Sequence, residues 1–308
     1  MSADWVAATV RARALARRRA GAGASAVIAR AATLRDGLAV LVGTAYESRL
    51  ADVTDMVAVE RATDETVLWQ LRVLAGWLPA TASRLCRNAA AAFERDNLVA
   101  LAAQLAGGRA APEAFDLGSL GTAWPRLSTS GSTAELYAGL ARSPWGAVGA
   151  EDATALRDLL TVVWFRRLAD TAAAARPWAQ NGAALVATRI VLVDRVEPPP
   201  RLRRLLRPLI GSAWESAADL EAMRAALPRS TGAVLAGIET PTDLWRAEAR
   251  AAIAVETDAF RLLRSALPGP DAVLGALAVL ATDAWRVRAA LASASLGSGR
   301  SEVLDAVA

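Results

Sequence analysis

The sequence predicts an all-α fold, and three observations carry that expectation. The apolar content, 54% of 308 residues, is mostly Ala and Leu, which favour helices, while the β-branched and aromatic residues that favour strands are thin. Apolar positions recur at helical spacing: Leu244, Ala247, Ala251, Val255, Ala259, Leu262 and Leu263 share one face, and Arg246, Glu248, Arg250 and Asp258 mostly point away. Gly and Pro interrupt the chain at 21–23, 107–112, 128–132, 198–200, 228 and 297–299, which leaves many helices of modest length. A chain this long and apolar can bury a large core spread over two or three domains.

Taken in order, residues 5–15 read as a first helix, followed by Gly21-Ala-Gly23-Ala-Ser25. That glycine run lacks a preceding strand and a Gly-Lys-Thr ending, so it is expected to be a turn rather than a phosphate loop. Apolar helices then stop at polar turns three times, at Thr44, Ser143 and Ser230, where the hydroxyl suits a helix stop followed by a new N-cap. An acidic residue expected near the start or middle of a helix follows each turn: Glu94 after 50 residues, Asp194 after 51 and Asp283 after 53. Gly121-Thr-Ala-Trp124 also returns as Gly211-Ser-Ala-Trp214, 90 residues later. A period of roughly 90 to 100 residues exceeds that of ordinary solenoid units. It predicts three pseudo-repeated helical bundles, over 1–112, 113–207 and 208–308.

Composition narrows the chemistry. Histidine is absent, which removes the commonest general base and metal ligand. Cys86 is the single cysteine, so no disulfide can form within the chain, as suits a reducing compartment. It reads as a small buried apolar residue. No catalytic residue, metal site or cofactor site is expected. No apolar run reaches the roughly 18 residues a membrane span needs; the best block, 274–281, is far shorter. The N-terminal arginines precede no apolar stretch of signal-peptide type.

Lysine is also absent, so all 35 basic residues are Arg, and the net charge of +4 is a mild imbalance despite a pI near 10.3. The Arg residues gather in two groups. Arg11, Arg13, Arg17, Arg18 and Arg19 form one, and Arg201, Arg203, Arg204 and Arg207 the other. Each could meet acidic lipid headgroups or an acidic protein surface, although a charge run is most often a solvated helix face. No nucleic-acid recognition motif accompanies them. Glu151 and Asp152 read as charges at a helix start. The ten scattered Trp read as core, with a few available as interface anchors.

Four features together resemble one family, the C subunit (eukaryotic subunit d) of V/A-type rotary ATPases. Trp5 with Arg11-Ala-Arg13-Ala-Leu15 is similar to its Tyr-x-x-x-Arg-x-Arg-x-Leu entry helix. Thr44-Ala-Tyr46 is similar to its Thr-x-Tyr turn, and Glu94-x-x-Asn97-Leu98 to its Asp-x-x-Asn-Leu signature. Residues 277–288 and 300–307 resemble its last long helix and short terminal helix. Departures accompany the matches: Trp5 replaces Tyr, and Glu197 and Arg286 replace the Asn in the later repeats.

The resemblance implies three pseudo-symmetric bundles arranged as a funnel on the cytoplasmic face of the membrane, peripheral to it. The implied partners are the proteolipid c-ring and the central axle subunits of D/F type. The implied role is to couple axle and ring in ion transport or ATP synthesis, without catalysis. The alternative is a helical-repeat adaptor or scaffold unrelated to rotary ATPases.

Overall fold

The computed structural model describes residues 4–79, 82–149, 152–265 and 267–307. The protein is all-α, with 72% of the chain in helices and no strand among the described residues. In chain order the α-helices are α1 (Asp4–Arg17), α2 (Gly21–Ala29), α3 (Leu34–Ala39), α4 (Glu47–Leu50), α5 (Met56–Ala75), α6 (Ser83–Leu105), α7 (Trp124–Leu127), α8 (Thr133–Ala141), α9 (Ala153–Thr171), α10 (Arg176–Thr188), α11 (Pro200–Ile210), α12 (Leu220–Ala226), α13 (Arg229–Gly232), α14 (Leu244–Leu263), α15 (Pro270–Ser295) and α16 (Glu302–Asp305).

Short polar residues set the helix starts. Thr33, Asp55, Ser132, Asp152 and Asp219 each accept a hydrogen bond from the backbone N–H three residues on, at 2.7 to 3.2 Å, which satisfies a donor the helix itself leaves open. Asp152 is thus the N-cap of α9, while Glu151 lies outside the described residues. Pro200 and Pro270 open α11 and α15, where the missing N–H costs nothing.

The chain divides into two compact units, 1–83 with 249–308, and 84–248. The boundaries fall at the first turn of α6 and inside α14. They follow which helices pack together and leave the Gly/Pro breaks at 107–112 and 198–200 inside the second unit.

In the discontinuous unit α15 is the central helix. Residues 272–280 are buried without interruption because α1, α2, α3 and α5 all pack on it. This explains the apolar block at 274–281, which is enclosed by protein up to residue 280. No helix among the described residues is long and apolar enough to cross a membrane. Gly275 lets α14 lie against α15: a Cβ there would fall 2.5 Å from the Ala259 carbonyl oxygen and 2.6 Å from the Leu263 nitrogen. Ser293 Oγ donates to the Ala29 carbonyl at 3.0 Å and fastens α15 to the end of α2.

In the continuous unit α9, α10 and α11 pack on one another. Leu202, Leu205, Leu206, Leu209 and Ile210 form the buried face of α11, at the 3- and 4-residue spacing of an amphipathic helix. The helix α10 runs on into a π-helical turn, Arg189–Val193, closed by Asp194 N donating to the Arg189 carbonyl at 2.8 Å. Asp194 therefore caps the end of a helix instead of lying near its start or middle. The three prolines at 198–200 cannot extend it.

Candidate functional site

Glu94 accepts five hydrogen bonds and Asp283 three, from backbone and side-chain donors together. Glu94 lies mid-way along α6 and is 1% exposed. Its carboxylate accepts from Thr122 N at 2.7 Å, Ala123 N at 2.7 Å, Trp124 N at 2.8 Å, Thr122 Oγ1 at 2.5 Å and Trp145 Nε1 at 3.0 Å. Three of these donors are backbone N–H groups leading into α7, where a carboxylate is favoured by the peptide dipoles. The turn at Ser143 supplies the indole: Ser143 Oγ donates to Leu140 O at 2.8 Å and accepts from Trp145 N at 3.1 Å.

Asp283 repeats this arrangement in the other unit. It lies on α15, fully buried, and accepts from Ala20 N at 2.9 Å, Gly21 N at 2.7 Å and the Tyr46 hydroxyl at 3.0 Å. Thr44 plays the part of Ser143, its Oγ1 donating to Leu41 O at 2.6 Å and accepting from Tyr46 N at 3.3 Å. The Gly21–Gly23 run, expected to be a turn, opens helix α2. Gly21 takes φ +79, a region costly to other residues, which aims its N–H at Asp283. Burial raises the Asp283 carboxyl above the ordinary value, against its backbone and Tyr46 donors and the Arg19 charge, and burial beside Asp283 pushes Tyr46 well up. Sealed from solvent, both carboxylates hold helix to turn, and neither can meet a substrate.

A third instance is incomplete. In Gly211-Ser-Ala-Trp214 the fully buried Trp214 donates its indole N–H to the Gly211 carbonyl at 3.0 Å, a local bond in place of a bond to an acid. Ser230 is exposed in α13, and the buried hydroxyl there belongs to Thr231. Asp194 is exposed and pairs with Arg189, whose guanidinium also holds the buried Asp158. Burial raises the Asp158 carboxyl, opposed by its bond to Arg189.

Asn97 serves the loop that precedes α7. Its amide donates to Phe115 O at 3.0 Å and accepts from Phe115 N at 2.8 Å, pinning a stretch where Phe93 and Phe115 meet edge to face at 5.4 Å. The sequence echo therefore holds for two acids, Glu94 and Asp283, and two turns, Thr44 and Ser143, and fails for Asp194 and Ser230; it also spaced acid and turn within one repeat. The structure joins Trp145 to Glu94, which precedes it, and Tyr46 to Asp283 near the other end of the chain.

The arginines divide by burial. Arg17, Arg18, Arg204 and Arg207 are exposed. Arg13 donates to the Leu263 and Ser265 carbonyls, Arg19 to the Ala16 carbonyl, and Arg203 pairs with Glu197 and Glu215. Arg11 and Arg201 are half-buried, each with its Nε sealed from solvent. A cleft of about 510 Å³ brings Arg13, Arg17 and Arg19 together with Arg264 and Phe260. Arg264 and Phe260 escaped the sequence reading because they lie about 240 residues further along the chain. Trp145 and Trp214 are core, whereas Trp69 and Trp77 are 42% and 53% exposed.

Cys86 is fully buried, and burial pushes its thiol up to about 12. Since the thiolate is the nucleophile, Cys86 should react with a disulfide reagent at pH 8 at least about a thousandfold more slowly in the folded chain than in guanidinium. Fast native labelling would show that α6 opens readily. No cluster of His, Cys, Asp and Glu able to hold a metal occurs among the described residues. Neither a family model nor a curated protein matches the chain, so its functional reading rests on its own residues and the family resemblance.

Proposed function

We propose that this chain is a non-catalytic connector subunit of a rotary V/A-type ATPase, joining the central axle to the proteolipid ring from the membrane's cytoplasmic face. The observation that carries the reading is the spacing of the long helices along the chain. Long helices follow one another along the chain from Met56 and Ser83 (α5, α6), from Ala153 and Arg176 (α9, α10), and from Leu244 and Pro270 (α14, α15), a spacing near that of the sequence echo. A short capped helix precedes each pair, beginning after Thr33, Ser132 or Asp219. Three bundles arranged as a funnel would follow from such a repeat, as in the family that the chain ends and Glu94-x-x-Asn97-Leu98 resemble.

A torque-transmitting part needs stiffness and two complementary surfaces, and needs no reactive group. Buried carboxylates with three to five donors each suit stiffness, because leaving those donors unpaired is costly. The exposed Arg17, Arg18 and Arg204, with Trp69 and Trp77, are the side chains this reading assigns to partner contact.

The test is to solubilise membranes of the native host in mild detergent and capture this chain by an affinity tag. The reading expects the proteolipid ring or the D/F-type axle subunits in the eluate at comparable amounts. An eluate holding neither, from membranes whose ATPase is intact, overturns it.

A further inference from the structure

We propose that the cleft where the end of α1 meets the end of α14 is a binding site for a multiply charged phosphate group, free or on a lipid headgroup. Arg13, Arg17, Arg19 and Arg264 line it, together with Phe260 and Leu263, and no carboxylate does. Two of the four guanidiniums already have structural work. Arg13 bonds the Leu263 and Ser265 carbonyls at 3.1 and 2.6 Å, and Arg19 bonds the Ala16 carbonyl at 3.1 Å while lying 4.9 Å over the Phe260 ring. These bonds cover the carbonyl ends of both helices, whose partial negative charge would otherwise repel an anion. They also fix the two side chains at low entropic cost to a ligand.

The other two are available. Arg17 and Arg264 are exposed and enter no ion pair among the described residues; Arg264 is held 5.6 Å from the Phe260 ring. Asp283 supplies one counter-charge, its buried carboxylate interacting with Arg19, so four guanidiniums with no carboxylate in the lining leave the cleft a cationic excess. A concave wall of one sign focuses its field on a ligand inside it. The cleft volume of about 510 Å³ suits a compact group rather than a partner helix. Several guanidinium forks around one centre match the oxygens of phosphate better than a single carboxylate. The site stands independently of the connector reading.

The test uses the full chain, titrated with sodium tripolyphosphate and, separately, sedimented with phosphatidylcholine vesicles carrying a small fraction of phosphatidylinositol bisphosphate. The double variant Arg17→Ala, Arg264→Ala should weaken binding by roughly tenfold or more. The double variant Arg204→Ala, Arg207→Ala removes equal charge from the exposed face of α11 and should change it by less than about twofold. Both pairs are exposed, and matching helical circular dichroism confirms that each variant is folded. Saturable binding of tripolyphosphate supports a soluble phosphate ligand, and binding confined to the charged vesicles supports a headgroup. No binding in either format, or equal losses in the two double variants, overturns the site.

Discussion

Replacing Glu94 with Ala should destabilise the chain by about 4 kcal/mol, seen as a large fall in the urea midpoint followed by helical circular dichroism. The magnitude comes from what the carboxylate leaves behind. Thr122 N, Ala123 N, Trp124 N, the Thr122 hydroxyl and the Trp145 indole all donate to it, and the site is nearly closed to water. Buried donors without partners cost about 1 to 3 kcal/mol each, partly relieved by relaxation. Glu94→Gln keeps one accepting oxygen and turns an amide NH2 toward other donors, so it should fall between wild type and Ala. A loss below about 1 kcal/mol for the Ala variant would mean these bonds are replaced by water at little cost.

Gly275→Ala should cost about 3 kcal/mol or more, an unusually large penalty for one added methyl group. The new Cβ would sit 2.5 Å from the Ala259 oxygen and 2.6 Å from the Leu263 nitrogen. Both are backbone atoms of α14, so no rotamer change relieves the overlap and the helices must separate. Gly23→Ala is the contrast: nothing lies within 4 Å of its Cβ position, and in the first turn of α2 it should be neutral or stabilising by up to about 1 kcal/mol. Thermal unfolding of the two variants side by side checks both expectations. Equal midpoints would show that α14 and α15 are not held at the observed separation.

The helical class was legible because helix formation is local: the 244–263 periodicity became α14, and residues 274–280 of the apolar block lie in the buried first half of α15. Two of the turns were legible for the same reason, since Thr44 and Ser143 each close their own helix through a bond to the carbonyl three residues back. What they bind was not. Sequence spacing reports the length of a repeat and is indifferent to which neighbour a side chain faces, so Tyr46 finding Asp283, 237 residues away, left no trace in it. Asp194 fits the spacing equally well, yet it lies past a π-helical turn and pairs locally with Arg189. The arginine groups show the same limit. Arg13 and Arg17 are four residues apart, and only the path of α1 beside α14 decides that one caps carbonyls while the other faces solvent.

The bond from Asp283 back to residues 20, 21 and 46 also sets an order of events during synthesis. Residues 84–248 are contiguous, so that unit has all its helices as soon as they leave the ribosome. The other unit is assembled around α15, which emerges last of the long helices. Until it arrives, the faces of α1, α2, α3 and α5 that pack on it stay uncovered, and the first N–H groups of α2 and the Tyr46 hydroxyl lack their acceptor. The earliest part of the chain is therefore the last to acquire its native core, and it spends the translation of some two hundred residues with apolar surface open to chaperones or to misassembly.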